Sequence, residues 1–292
     1  MNRSVLHIVD THCHIISSDP AQFPALAPMG GKQSDWSKER PVDSHQMVQS
    51  MKEAGVSKSV LVQASTCYGH DSSYVVQGTK DHPEAFIGVF SVDFMDPGAI
   101  EQVAHWKSKG LSGLRVFIAG HTAHDDSKKL DDPQAFDLWD AISSQEIPVC
   151  VQIRSNGLPS LKNLLNKFPK AIVLLDHFAR PEMQDGPPYA QASSLFELAQ
   201  FENLHFKLTT HITRDSKLGL ADSASFFKKV VDVFGARRIA WGSNFPANTG
   251  SLKDHLDEAL SAAQSLSLSD QEWIFSKTAH QLYPQLNHIK GV

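Results

Sequence analysis

Two histidines, His12 and His14, stand one residue apart directly after a short apolar run of Leu6, Ile8 and Val9. Side chains alternate between the two faces of an extended strand, so both imidazoles are expected to point to the same side. An imidazole can polarise an oxygen, move a proton near neutral pH or bind a metal ion. In a chain with 15 histidines such a pair arises readily by chance, so its spacing alone does not identify a site.

The rest of the chain must supply the elements that position these side chains, and it repeats one unit. Short apolar runs typical of buried parallel strands alternate with segments whose apolar residues recur at helical spacing. Strands are predicted for the run that ends before His12 and for residues 59–64, 85–92, 110–117, 147–153, 171–176, 204–208 and 238–242. Helices are predicted near residues 43–54, 73–81, 98–109, 133–145, 158–168, 192–200, 221–234, 252–263 and 270–283. These alternating units predict an α/β protein, a (β/α)8 TIM barrel in which residues 1–292 form a single domain.

Two segments of the chain do not fit the repeating strand–helix unit. Residues 17–41 are rich in Pro, Gly and Ser and predict a long loop after the first strand, of a kind that usually carries function. Two helices follow the last strand, which predicts an extra C-terminal helix. A doubly wound open sheet is the alternative fold. It normally has a glycine-rich nucleotide-binding turn after its first strand, where this chain has Thr11-His-Cys-His14, so we favour the barrel.

Composition narrows the class of protein. Hydrophobic residues make up 41% of the chain and charged residues 20%, which is typical of a soluble globular protein. The formal net charge of −5 argues against binding to nucleic acid or to an acidic membrane, since both need a basic surface. No run approaches roughly 18 consecutive apolar residues, and the three cysteines show no C-x-x-C spacing. We therefore expect a cytoplasmic protein with reduced thiols that binds neither nucleic acid nor membrane. The sequence leaves open whether it forms a homo-oligomer.

In a barrel of this kind the active groups lie at the carboxyl ends of the strands. The polar side chains at those predicted ends are His12, His14, Gln63, Ser65, Asp93, Arg115, Gln152, Arg154, His177, Arg180, Lys207, Arg214 and Asn244. Histidines and arginines are therefore expected to converge at one mouth, without a clear carboxylate among them. Arginine binds carboxylates with two parallel hydrogen bonds, and imidazole polarises an oxygen, so the set predicts an anionic substrate that contains a carbonyl group.

Three strand ends resemble the signatures of the amidohydrolase superfamily, namely Asp10-Thr-His-Cys-His14, Asp176-His-Phe-Ala-Arg-Pro181 and Trp241-Gly-Ser-Asn-Phe-Pro246. They are most similar to its TIM-barrel lactonase branch, which includes 2-pyrone-4,6-dicarboxylate lactonase, sulfomuconolactone hydrolase and galactarolactone isomerase. The resemblance covers nearly the whole chain in the right order. It implies a hydrolase that opens the ring of a carboxylated lactone of muconolactone, pyrone-dicarboxylate or sugar-acid type, in the catabolism of aromatic or sugar acids.

The resemblance also implies roles for individual residues. His12, His14 and His177 would surround the lactone carbonyl and stabilise the oxyanion that develops on it. The residues expected to bind the substrate are Arg115, Arg180, Arg214, Arg154, Gln63 and Tyr68. No cofactor is required in this interpretation. The alternative is one Zn²⁺ held by the three histidines, although Arg115 stands where metal-binding members have a strand-four Lys or Glu.

Asn244 departs most from the lactonase pattern, because that position is an Asp that activates water and an amide cannot accept its proton. We favour hydrolysis with another base, for which the candidates are Asp93, His121, His124 and His211. The close alternative is a lactone isomerase, in which a substrate hydroxyl attacks the polarised carbonyl. Further alternatives are a Zn-dependent hydrolase or decarboxylase, a non-catalytic barrel that binds a small acid, and a hydrolase inactivated at this position.

For two acids that lie close in sequence to the candidate histidines, and for the remaining histidines, the sequence predicts positions or supporting roles. Asp10 is expected either to orient His12 or His177 or to touch the substrate. Asp176 is expected to point away from His177 and to have a structural role. The histidines in predicted helices and in the C-terminal tail, His255 among them, are expected to face solvent.

Overall fold

Eight parallel strands form one sheet in chain order within the computed structural model, which describes residues 7–118 and 127–292. The strands are β1 (Ile8–Cys13), β2 (Val56–Val62), β3 (Phe86–Ser91), β4 (Gly113–Phe117), β5 (Val149–Gln152), β6 (Val173–Leu175), β7 (Leu204–Thr209) and β8 (Ile239–Gly242). Each strand pairs in parallel with the next one along the chain. All eight coincide with predicted strands to within a few residues.

The two ends of the sheet meet where β1 and β8 run out. The backbone N–H of Asn244 donates to the carbonyl of His12 at 2.7 Å, and that of His14 donates to the carbonyl of Phe245 at 2.9 Å. These bonds bring the last strand against the first and leave a nearly closed barrel. The predicted single-domain (β/α)8 barrel is confirmed, and the carboxyl ends of β1 and β8 lie side by side at its mouth.

Helices separate the strands as the spacing of apolar residues predicts. They are α1 (Asp35–Glu39), α2 (Ser44–Ala54), α3 (Ser65–Tyr68), α4 (Ser73–Asp81), α5 (Ala99–Ser108), α6 (Phe136–Ser144), α7 (Leu158–Lys167), α8 (Ser193–Phe196), α9 (Thr210–Asp215), α10 (Ser223–Phe234), α11 (Leu252–Ala262), α12 (Leu268–Glu272) and α13 (Thr278–Leu282). Asp43 and Gln46 form a reciprocal capping box that starts α2, and Gly55 ends it at a φ of 76°. In the part of the chain that the structure describes, no helix is long and apolar enough to cross a membrane.

Three short helices, α1, α3 and α9, were not predicted, and one residue on a predicted helix departs from its expected exposure. His255 on α11 is buried, and its Nε2 lies 3.1 Å from the carbonyl oxygen of Thr249. The expectation that this histidine faces solvent is therefore wrong. The helix turns it towards Phe245, with ring centroids 6.0 Å apart, so it packs behind the residues that follow β8.

The two ends of the barrel differ in how they are closed. A π-helical turn, Trp273–Lys277, joins α12 to α13, and the chain then brings Tyr283 and Leu286 into an apolar cluster with inward-facing strand residues such as Val60 and Val89. This cluster fills the amino-terminal end of the barrel, and the predicted extra C-terminal helix contributes to it. At the other end lies the long loop after β1, which contains the short helix α1. The apolar cluster fills only the amino-terminal end of the barrel. The polar residues at the carboxyl ends of the strands therefore lie at the opposite end, the mouth, which this cluster does not fill.

Candidate active site

Four imidazoles form a chain across the mouth of the barrel. The ring centroids of His12 and His14 are 4.9 Å apart, those of His12 and His177 are 5.3 Å apart, and those of His177 and His211 are 5.1 Å apart. His12, His14 and His177 are buried. The structure thus brings together the three histidines that the sequence analysis selected. It adds His211, which lies on α9, a helix that the sequence did not predict.

A left-handed turn after β6 places His177. The four residues 177–180 have φ values of 54, 51, 57 and 50°, although none of them is glycine. Left-handed backbone costs roughly 1–2 kcal/mol per residue, and such strain is typical of functional sites. The turn breaks the alternation of the strand. The Asp176 carboxylate consequently lies 3.4 Å from His12 Nδ1 while the His177 ring also approaches His12, so the expectation that these two neighbours face apart is wrong.

Beneath the histidines lies a buried charge cluster centred on Asp176. Its Oδ1 is 3.2 Å from Lys207 Nζ, and its Oδ2 is 4.0 Å from Arg115 Nε. Burial alone would raise the pKa of Asp176, but the charge of Lys207 and the contact with His12 outweigh burial and hold this pKa well below its usual range. In return, Asp176 raises the pKa of Lys207 against the opposing effect of burial. Asp176 is therefore an ionised partner of two cations.

The histidines themselves are neutral. Burial, opposed in part by Asp176, lowers the pKa of His12 to about 4. Burial, reinforced by neighbouring imidazoles, also lowers the pKa of His14 and of His177 well below the usual value. His14 Nδ1 lies 2.8 Å from the carbonyl of Val62, which can only accept, so His14 carries its proton on Nδ1. At neutral pH the cluster holds uncharged imidazoles, which both donate and accept hydrogen bonds.

The cluster does not fit the alternative of a zinc ion held by three histidines. Within residues 7–118 and 127–292, no three His, Cys, Asp or Glu side chains lie so that they could hold one metal ion together. Two cations, Arg115 and Lys207, also lie against the Asp176 carboxylate just below the imidazoles and would repel a divalent ion. Whether the protein requires a metal stays a prediction.

The predicted substrate-binding arginines fall into different settings. Arg115 is buried and points inward, where it donates to the carbonyl of Gln63 at 2.6 Å and to the side chain of Gln152. Arg214 makes two bonds to Glu258, at 2.9 and 3.1 Å, and stays at the rim. Arg180 pairs with Asp215 at 3.1 Å and, together with Arg154, lines a cavity beside the left-handed turn.

Gln63 and Tyr68 support the loops around the mouth. The Gln63 amide donates to the carbonyls of Gly69 and Asp71 at 3.0 and 2.9 Å, which holds the segment after β2. The Tyr68 hydroxyl accepts a bond from the backbone N–H of Ser17 at 2.8 Å, which anchors the start of the long loop. That loop also carries Trp36 on α1, whose ring lies 5.5 Å from the ring of His14 and covers one side of it.

Asn244 lies at the edge of the histidine chain, as its position after β8 requires. Its Nδ2 is 3.4 Å from His211 Nε2, and its backbone adopts a φ of 58°. Burial, followed by the charges of Arg180 and Arg154, lowers the pKa of His211 to about 3. At the position where the lactonase pattern has a water-activating Asp, this protein thus has an amide in direct contact with a neutral imidazole.

The other candidate bases have different settings. Asp93 is exposed and accepts a bond from the backbone N–H of Met95 at 3.0 Å. His121 and His124 lie outside the described residues. Of the candidates among the described residues, His211 is the one that lies in the histidine chain.

Asp10 organises the backbone beneath the site. Its carboxylate accepts bonds from the backbone N–H of His12 at 2.9 Å and from the N–H and hydroxyl of Ser243 at 2.8 and 2.5 Å. One side chain thereby ties the end of β1 to the residue that precedes Asn244. Asp10 therefore orients His12 through the backbone N–H of that residue, and the other bonds given for its carboxylate are to Ser243.

Sequence reasoning left Lys207 without a role and gave Asp176 the wrong orientation. A signal was available for Lys207, since a lysine inside the apolar strand β7 needs a buried partner. For Asp176 the strand period itself was misleading, because the left-handed turn begins at the next residue. His211 followed β7 closely enough to be named, but its helix is too short to show a periodic pattern.

Comparisons with known proteins agree with this architecture. The model of the family described as Amidohydrolase matches residues 9–285. The L-fucono-1,5-lactonase of Burkholderia ambifaria is 27% identical over 199 residues, which cover 67% of each chain. Two solved structures share the fold: an amidohydrolase from Burkholderia multivorans with bound zinc (TM-score 0.75, 19% identity, 95% of this chain and 99% of that one) and a probable 2-pyrone-4,6-dicarboxylic acid hydrolase from Acinetobacter baumannii with citric acid bound (TM-score 0.74, 16% identity, 95% and 99%).

Proposed function

The chain belongs to the amidohydrolase family, and on that premise we propose that it is a hydrolase that opens the ring of a carboxylated lactone. The observation that carries the proposal is the polar but neutral centre of the histidine cluster. His12 Nε2 is buried and has no hydrogen-bond partner among the described residues. A buried polar atom left unpaired costs about 1–3 kcal/mol, so a ligand oxygen at this point would be stabilised by it.

The reacting carbonyl would lie among His12, His14 and His177. When the ring ester is attacked, negative charge develops on the carbonyl oxygen. Hydrogen-bond donors fixed in a site that excludes water stabilise this charge strongly, because they need no reorganisation and face little competing solvent. A neutral imidazole suits the task where its inward ring nitrogen carries the proton, and it does not repel its neighbours in the free enzyme. His14 lies beside the carbonyl without donating to it, because its proton is on Nδ1 and bonds to Val62.

The cationic side of the cavity would hold the carboxylates of the substrate. Arg180 is about one-third exposed, and among the described residues its side chain has one ion-pair partner, Asp215, so it is well placed to bind a second anion. Arg154 lines the same cavity. Arg115 and Arg214 are committed to inward and rim partners, so the proposal assigns a substrate carboxylate to Arg180 first. Arg154 joins that assignment by its place in the lining of the same cavity.

His211 is the base that we assign to the attacking water. In the free protein Arg180 and Arg154 depress its pKa. A substrate carboxylate that pairs with those arginines would offset their charge and raise the basicity of His211. The imidazole then takes one proton from water, the water oxygen bonds to the carbonyl carbon, the ring C–O bond breaks, and the departing oxygen receives the proton.

A lactone isomerase is the second candidate, and one observation favours it. Asn244 supplies an amide at the mouth, and the Asp176 carboxylate is occupied by Lys207 and Arg115. A substrate hydroxyl could then attack the carbonyl where water does in the hydrolase. No water enters the product of that reaction, which makes the two candidates distinguishable.

The test uses purified, chelator-treated protein with a muconolactone, a pyrone dicarboxylate and L-fucono-1,5-lactone. Hydrolysis releases acid in a pH-stat and incorporates ¹⁸O from labelled water into the new carboxylate. Isomerisation yields a rearranged lactone by NMR without label. Binding without conversion of any of these lactones would contradict both proposals and favour the non-catalytic binder.

One substitution tests the role of the cluster. His177→Ala should lower kcat by about 100-fold or more, as does the loss of one oxyanion donor in other enzymes, while the circular dichroism spectrum stays unchanged. His105→Ala, on the exposed face of α5, is the matched control and should leave kcat unchanged. Normal turnover in a folded His177→Ala variant would remove this histidine from the mechanism.

A further inference from the structure

Lys207 is fully buried in the centre of the barrel, where a charged amine needs partners. Its Nζ has three of them: Cys150 Sγ at 2.9 Å, His12 Nδ1 at 3.1 Å and Asp176 Oδ1 at 3.2 Å. An ammonium group carries three N–H donors and no acceptor. Cys150 Sγ and His12 Nδ1 accept hydrogen bonds from two of these donors, and Asp176 supplies the counter-charge through an ion pair. One of the donors is therefore directed at the ring of His12.

That contact decides where His12 carries its proton. A ring nitrogen that faces a donor must present its lone pair, and a neutral imidazole then holds its hydrogen on the other nitrogen. Asp176 also lies near His12 Nδ1 but at the longer distance of 3.4 Å, and its Oδ1 is already engaged by Lys207. We propose that Lys207 is a positioning residue that holds His12 in the tautomer protonated on Nε2, so that His12 donates a hydrogen bond to the ligand oxygen.

His14, two residues after His12, has the opposite tautomer. Its Nδ1–H donates to the Val62 carbonyl, which leaves the lone pair on Nε2. Histidines that bind a metal through Nε2 usually donate their other ring N–H to a carbonyl or carboxylate. His14 follows that rule and His12 does not, because an ammonium occupies the place where the acceptor would be. Lys207 thereby converts a histidine pair typical of metal sites into one donor, His12, and one acceptor, His14, of which only the donor can bond to a carbonyl oxygen.

Two further contacts keep the lysine in place. The Cys150 thiol, whose pKa is raised by burial, lies on β5 and approaches the Tyr283 hydroxyl at 3.5 Å. Asp176 follows β6. The amine is therefore held from β5 and β6 and touches β1, so its direction towards His12 is set by the barrel itself. The inference rests on the proposed function only in its last step, the identity of the oxygen that receives the hydrogen bond.

The tautomer can be measured without any substrate. In protein labelled with ¹⁵N-histidine, long-range ¹H–¹⁵N spectra distinguish protonated from unprotonated ring nitrogens, and His12→Gln identifies the His12 signals by their loss. We expect His12 to show a protonated Nε2 and an unprotonated Nδ1. In Lys207→Met the proton should move to Nδ1, where Asp176 accepts it. Lys228→Met, which removes an exposed lysine, is the control and should leave the pattern unchanged.

Three results would overturn the inference: a protonated Nδ1 on His12 in the wild type, an unchanged His12 pattern in a folded Lys207→Met variant, or a one-to-one zinc site in the wild type that His12→Gln removes in calorimetry with zinc alone. The wild-type spectrum is decisive even where the lysine variant does not fold. If no lactone is turned over, the proposed function fails while the spectroscopic result stands. If lactones are hydrolysed, Lys207→Met should lower kcat by about 100-fold, the effect of one lost oxyanion donor.

Discussion

The buried pair of Asp176 and Lys207 gives the sharpest prediction about stability. Both side chains are fully buried, and their charged atoms lie 3.2 Å apart. With an effective dielectric constant of about 20, their attraction amounts to about 5 kcal/mol. Asp176→Asn removes that attraction and leaves Lys207 and Arg115 without a buried counter-charge, which costs about 3–5 kcal/mol when one partner of a buried pair is deleted.

The loss is large enough to measure in two ways. For 292 residues the entropy of unfolding implies a fall in Tm of about 5–8 °C. Urea unfolding followed by circular dichroism at pH 7 should report the free energy directly. The double variant Asp176→Asn with Lys207→Met should recover most of the loss, because removal of both charges also removes their desolvation cost. An exposed pair, Lys228 and Asp232, is the control, and Asp232→Asn should cost less than about 0.5 kcal/mol.

The pH dependence has a definite sign. The pKa of Asp176 is depressed in the folded state, so its stabilisation is present above the unfolded value of about 3.9 and is lost as the pH falls towards the folded pKa. The difference between wild type and Asp176→Asn should therefore be full at pH 7 and shrink below about pH 4. A loss under about 1 kcal/mol at pH 7, or single and double variants that add without coupling, would refute the charge cluster.

The remaining predictions concern activity on lactones. Asn244→Asp places a carboxylate beside His211 Nε2, at the present 3.4 Å contact, and should raise hydrolysis at least about tenfold; an unchanged rate would show that this position does not face the attacking water. Because burial and two arginines lower the pKa of His211 to about 3, the base is deprotonated above that value. The profile of kcat/KM should thus stay flat from pH 8 to about pH 5, and a fall centred near the ordinary histidine value of about 6.5 would exclude His211. Arg180→Ala should raise KM for a carboxylated lactone about tenfold with a smaller change in kcat, whereas Arg214→Ala, which loses the same charge at a rim position held by Glu258, should change KM less than about twofold. Equal effects of the two arginine variants would remove the assignment of the carboxylate to Arg180.

The strands and helices could be predicted from the sequence because burial imposes a local pattern of apolar residues. A strand covered on both faces must be apolar along its length, as 173–175 and 239–241 are, and a helix packed on one side repeats its apolar residues every three to four positions. The cap of Asp43 and the end at Gly55 are local as well. Eight such units determined the barrel, and the barrel in turn determined that His12, His14 and His177 would meet at its mouth.

The chemistry of the site was decided by contacts between residues far apart in the chain. Lys207 and His12 are 195 positions apart, and their contact sets which ring nitrogen of His12 carries the proton. The left-handed turn over residues 177–180 brings Asp176 under the histidines, against the period of its strand, because packing around it outweighs the local preference of the backbone. The sequence by itself determined which groups reach the mouth. Only the tertiary structure decided which of them are charged, paired or left to donate, since burial and partner identity are set when the barrel closes.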